Sequence, residues 1–101
     1  MLAHMVYFKL KDDSPSAQAA LVEGSKEFLS DHPGMMHFSV GKVADAYRRD
    51  VNERDWDVAL HLIFEDHPAH DAYQSSPRHN QFIAKFKENW AKVRVFDADT
   101  L

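Results

Sequence analysis

The apolar residues of this chain recur at every second position, then at helical spacing. The cycle strand, helix, strand, strand, helix, strand is complete within 101 residues. Few architectures accept that order. Residues 2–10 read as the first strand, with Leu2, His4, Val6, Phe8 and Leu10 on one face and Ala3, Met5, Tyr7 and Lys9 on the other. Both faces are largely apolar, so both are expected to be covered. Ser14 can cap a helix whose first position suits Pro15, and Ala17, Leu21, Gly24 and Phe28 continue it at helical spacing, with Leu29 alongside. Asp31-His32-Pro33-Gly34 stops it. Residues 35–46 predict a second strand with Met36, Phe38 and Val40 on one face, and residues 47–55 a charged loop. Residues 56–65 predict a third strand that gathers Trp56, Val58, Leu60, Leu62 and Phe64. His67-Pro68 opens a short helix through about Gln74, Ser76-Pro77 restarts a helical run to about Asn89, and residues 91–97 form the last strand.

Two β-α-β units in this order predict one α+β, ferredoxin-like βαββαβ domain over residues 1–101. Its four-stranded antiparallel sheet carries helices on one face. The other face would hold Met5, Tyr7, Ile63 and either Val95 or Phe96 in water, beside Lys9, Asp57 and His61. The same face of a second copy, related by a two-fold axis, is the simplest cover. A homodimer, a dimeric α/β barrel, is therefore expected.

Composition removes several function classes. The formal net charge is −4, and Arg48, Arg49 and Arg54 alternate with Asp50, Glu53 and Asp55. Without a basic face, no nucleic-acid partner is expected. The absence of cysteine removes disulfides and thiol chemistry. No apolar run approaches the length of a membrane span, and residues 1–10 do not resemble a signal peptide, so no membrane partner and a cytoplasmic location are expected. Three scattered glycines offer no phosphate loop, and no serine sits in a nucleophile motif. His67-x-x-His70 could place two rings on one helical face, but it matches no zinc pattern and reads as a surface helix start. Neither a metal nor a cofactor is expected.

The opening His4-x-Val6-x-Phe8-Lys9-Leu10-Lys11 resembles the first strand of stress-responsive A/B barrel (Dabb) domains. Asp57-Val58-Ala59, Phe64-Glu65, Ala72-Tyr73, Pro77-x-His79 and Phe82 continue the resemblance over nearly the whole chain. It implies a dimeric α/β barrel. The family includes plant stress-associated proteins and olivetolic acid cyclase-like polyketide cyclases. In the cyclases a histidine and a tyrosine carry an aldol condensation, and those positions correspond to His79 and Tyr73 here, with a first-strand histidine at His4. A further pocket histidine of the cyclases is replaced by Val58.

Imidazole, with an ordinary pKa near ~6.5, can take a proton at neutral pH, and a phenol can donate to a developing enolate. His79, Tyr73 and His4 are accordingly the candidate catalytic residues. Phe8, Trp56, Leu60 and Phe82 are the candidate walls for a small apolar or aromatic ligand. Each residue also has a structural alternative. His79 could cap the last helical run or bond to His4, and Tyr73 could be a core aromatic. Three functions stay open: a ligand-binding homodimer without catalysis, a cofactor-independent cyclase, lyase or isomerase, and a cofactor-independent monooxygenase.

Overall fold

The computed structural model describes residues 1–101. Strand β1 (Leu2–Leu10) leads to helix α1 (Pro15–Leu29), then strands β2 (Met35–Lys42) and β3 (Val58–Phe64). Helices α2 (His67–Gln74) and α3 (Pro77–Phe86) follow, then a 3₁₀ turn over Lys87–Asn89 and strand β4 (Trp90–Asp99). The strands lie in the order β2-β3-β1-β4, all antiparallel, with the helices on one face. This is the ferredoxin-like arrangement expected from the periodicity.

All three helices begin by the same local chemistry. A side-chain oxygen accepts an orphan backbone N–H of the first turn: Ser14 from Ala17, Asp66 from Ala69 and Ser76 from His79. A proline follows each cap and presets the helical φ. At the far end of α1, Arg78 donates to the carbonyls of Ser30 (2.9 Å) and Glu27 (2.5 Å), which satisfies two acceptors the helix leaves free and ties α1 to α3. The chain then reverses through Asp31 (φ 60°) and Gly34 (φ 78°). Gly34 has a second reason to be glycine, because a Cβ there would lie 2.5 Å from the Cβ of Ala69.

The core forms where the helices meet the sheet. Leu21 and Leu29 of α1, Val58, Leu60, Leu62 and Phe64 of β3, and Phe82 of α3 pack there almost without solvent contact.

Four details depart from the strict alternation of the sequence. A bulge between Met35 and His37 shifts the register, so Met35 joins the core with Phe38 and Val40 while Met36 is 62% exposed. The second strand ends at Lys42 and the third begins at Val58, so the intervening segment is longer than 47–55. The last strand outruns residues 91–97 at both ends. Asp57 does not stand on the open face; it is buried, and its carboxylate accepts the Leu10 N–H at 2.8 Å beside the register shift at Lys9/Leu10.

The choice between Val95 and Phe96 is also decided. Phe96 lies opposite Met5 on the open face, whereas Val95 lies opposite Val6 and faces the helices. Val93 and Val95 are nonetheless exposed, and they line the edge of a hollow between the sheet and the helices.

Candidate functional site

That hollow has a volume of about 200 Å³. β1 supplies His4, Val6 and Phe8; α2 supplies Tyr73 and Gln74; α3 supplies His79, Phe82 and Ile83; Leu29, Leu60 and Trp90 complete the walls. Alternation along β1 aims His4, Val6 and Phe8 at the helices. Helical spacing puts Tyr73 and Gln74 beside His70, one turn earlier. The larger hollows on the surface contain none of His4, Tyr73 and His79; the largest is an open groove between α1 and α3 rich in lysine and glutamate.

The structure therefore brings His4, Tyr73 and His79 to one cavity, together with Phe8, Leu60 and Phe82. Trp56 is not there. It precedes β3, packs edge-on against Tyr7 at 5.1 Å on the open face, and donates its indole N–H to the Glu53 carbonyl. The alternation read from Val58 to Phe64 does not extend back to it, because Asp57 turns inward. Trp90, 4.9 Å from Phe8, forms the cavity wall instead.

Tyr73 is the hub. Its ring meets those of His79 (4.8 Å), His32 (5.0 Å) and Phe64 (5.1 Å), with His4 at 6.1 Å. Burial alone pushes the Tyr73 phenol well above its ordinary value, so it is a donor at every physiological pH. Burial also holds His79 below the ordinary imidazole value, reinforced by His4, His32 and His70. His79 uses only its backbone N–H for the Ser76 cap; its Nδ1 is shut off from solvent without a partner, as is Trp90 Nε1.

His4 is held from both sides. Its Nδ1 lies 2.5 Å from the Asp97 carboxylate, and its Nε2 lies 3.3 Å from the Gln74 amide nitrogen. Burial lowers its proton affinity more than Asp97 raises it. The neutral ring with N–H on Nδ1 fits both contacts: Nδ1 donates to Asp97 and Nε2 accepts from Gln74.

Sequence reasoning missed Asp97, Gln74 and Trp90, and read His70 only as part of a surface helix start. Two signals were available. Asp97 follows Val93 and Val95 at strand spacing, and His70, Tyr73 and Gln74 share one helical face. His67, the sequence partner of His70, turns away to pair with Asp99 at the surface.

The histidine shifts give a pH dependence of stability. A folded value below the unfolded one means that the unfolded chain binds the proton more readily, so stability is full above the unfolded pKa of about ~6.5 and falls as pH drops toward the folded value. His67, raised by Asp99, acts in the opposite sense but lies at the surface, where solvent screens the pair. The melting temperature should therefore fall between pH 7.5 and 5.5, and less so in His79→Gln. A flat profile in the parent protein would contradict the buried neutral histidine.

Residues 2–100 match the stress responsive A/B barrel domain. The chain belongs to the Dabb family. Solved structures agree with that fold. An Arabidopsis thaliana protein superposes with a TM-score of 0.81 at 22% identity, covering 100% of this chain and 96% of its own. A Dabb family protein with a ferredoxin-like fold from Mesorhizobium loti gives 0.80 at 22% identity, covering 99% and 96%. A dimeric ferredoxin-like protein of unknown function from Thermobifida fusca gives 0.81 at 15% identity, covering 98% and 90%. No curated protein matches this chain. No helix of this Dabb protein is long and apolar enough to cross a membrane.

Proposed function

We propose that this Dabb protein acts as a homodimer that binds a small aromatic or apolar ligand in the cavity between sheet and helices. The observation that carries the reading is a mostly apolar wall in which two buried atoms, His79 Nδ1 and Trp90 Nε1, have no partner. Leaving such groups unpaired costs roughly 1–3 kcal/mol each, and a ligand oxygen that reached them after a small shift of the lining side chains would relieve that cost. The volume of about 200 Å³ limits the ligand. Drug-sized pockets run to ~300–1,000 Å³, whereas a cavity of ~150 Å³ holds benzene. The cavity suits one ring, and any tail would run out over exposed Val93 and Val95. Dimer formation is supported by the apolar open face and by relatives described as dimeric.

The test compares a phenol with toluene by calorimetry. The phenol should bind more tightly, and Trp90→Phe should weaken it about ~10-fold, one net hydrogen bond, while toluene is unaffected. Equal affinity for both compounds in both proteins would defeat the polar role of the cavity. No binding by either would leave a dimer whose core histidines are structural.

A second reading, a cofactor-independent enzyme, is favoured by one feature. A neutral imidazole and a protonated phenol lie side by side, with His79 and Tyr73 ring centres 4.8 Å apart. His79 would take a proton from carbon while Tyr73 donates to the enolate oxygen. Turnover of an enolisable aryl ketone that survives His79→Ala would rule this out.

A further inference from the structure

The edge of the cavity near α2 carries a second arrangement that neither the family nor the ligand reading requires. His4 Nε2 and His70 Nε2 both aim at one point, occupied by the Gln74 amide nitrogen at 3.3 and 3.4 Å. The two rings come from β1 and α2, with centroids 4.8 Å apart. Behind each ring stands a carboxylate on the other nitrogen: Asp97 lies 2.5 Å from His4 Nδ1, and Asp71 lies 3.2 Å from His70 Nδ1. A carboxylate on Nδ1 fixes the N–H there and leaves the Nε2 lone pair free, which is how metal-binding histidines are oriented. One ligand atom each from His4, His70 and Asp97 all lie within 4.8 Å of one another.

We propose that His4 and His70 form a binding site for a divalent transition ion, zinc foremost, with Asp97 and Asp71 orienting the two imidazoles. The Gln74 amide stands where the cation would lie, a partly positive N–H₂ group between two nitrogen lone pairs. A turn about its last torsion removes the nitrogen and presents the amide oxygen as a third donor. Imidazole nitrogens suit zinc, copper and nickel, and zinc accepts them at ~2.0–2.1 Å, so both rings must close on the ion as Gln74 turns. His4 and Gln74 also line the cavity, so the remaining coordination positions open onto it and would take water or a ligand oxygen. His67 takes no part, since it is committed to Asp99.

The test uses the metal-free full chain, titrated with Zn²⁺ alone in a calorimeter. One ion per chain is expected. His70→Ala should abolish binding, and Asp97→Asn should weaken it about ~10–100-fold, as loss of an orienting carboxylate does. Cu²⁺ bound at the same site should show coupling to two imidazole nitrogens by electron paramagnetic resonance. Absence of uptake, uptake unchanged in both variants, or coupling to a single nitrogen would overturn the proposal. Should His70→Ala fail to fold, the Asp97→Asn affinity and the copper spectrum decide the matter. No organic ligand enters this experiment, so its failure would leave the cavity reading intact.

Discussion

Phe96→Asp is expected to convert the proposed dimer to a monomer. Met5, Tyr7, Ile63 and Phe96 form the apolar part of the open face, and Phe96 is 49% exposed in the isolated chain. Tyr7 ties this patch together, since its ring meets those of Trp56 at 5.1 Å and Phe96 at 5.9 Å. Helices lie only on the other side, and within the chain only the segment before β3, with Val51, Glu53 and Trp56, borders the patch. A two-fold contact uses the patch twice, so a carboxylate at position 96 enters the interface in both copies. An uncompensated buried charge costs about 3–5 kcal/mol, and two of them would exceed what a contact of ordinary size withstands. Arg94, whose guanidinium sits 5.3 Å over the Phe96 ring, could pair with one carboxylate but would lose its stacking. Light scattering after gel filtration at micromolar concentration measures the result. A variant that keeps the parent's dimeric mass would place the contact elsewhere, and a monomeric parent protein would remove the reason for it.

How far the sequence disclosed this arrangement depends on which interactions are local. Helix starts were legible because capping is settled within four residues, as at Ser14 and Ser76. The faces of β1 were legible because burial alternates from His4 to Leu10. Reading failed where the backbone breaks its own period. The bulge at Met35/His37 cannot be seen in Met-Met-His, and it sends Met36 into solvent. Asp57 reads as an outward polar residue, yet a backbone N–H 47 positions away claims its carboxylate.

The candidate site divides in the same way. His4, Tyr73 and His79 were identified through resemblance and through residue chemistry. Their meeting depends on three elements converging, which no spacing encodes. The His4–Asp97 pair joins residues 93 apart, and the His4–Gln74 contact joins residues 70 apart. Trp90 takes the wall position expected of Trp56 for a similar reason. Both border strands, and only the registry of β4 against β1, which pairs Trp90 with Leu10, decides which indole reaches the cavity.

Phe64→Ala should bring the protein close to its unfolding threshold. Phe64 is fully buried at the end of β3, and its ring meets Tyr73 at 5.1 Å and His70 at 5.5 Å. Truncating a buried phenylalanine costs about ~3–5 kcal/mol, through lost transfer energy and the void left behind. Domains of this size have only ~5–15 kcal/mol in total, so the loss is a large share. The void would open directly beneath α2, a helix of eight residues whose buried anchor is Tyr73. A helix that short holds its place by packing rather than by its own hydrogen bonds. Chemical denaturation should therefore show a lower midpoint than in the parent, and the proposed ligand and metal binding should weaken together, because Tyr73, Gln74 and His70 all ride on α2. Phe64→Leu keeps most of the volume and should lose much less of both. A Phe64→Ala protein with normal stability would mean that α2 does not depend on this ring. Normal stability with lost binding would instead make Phe64 a positioning residue for the histidine–tyrosine cluster alone.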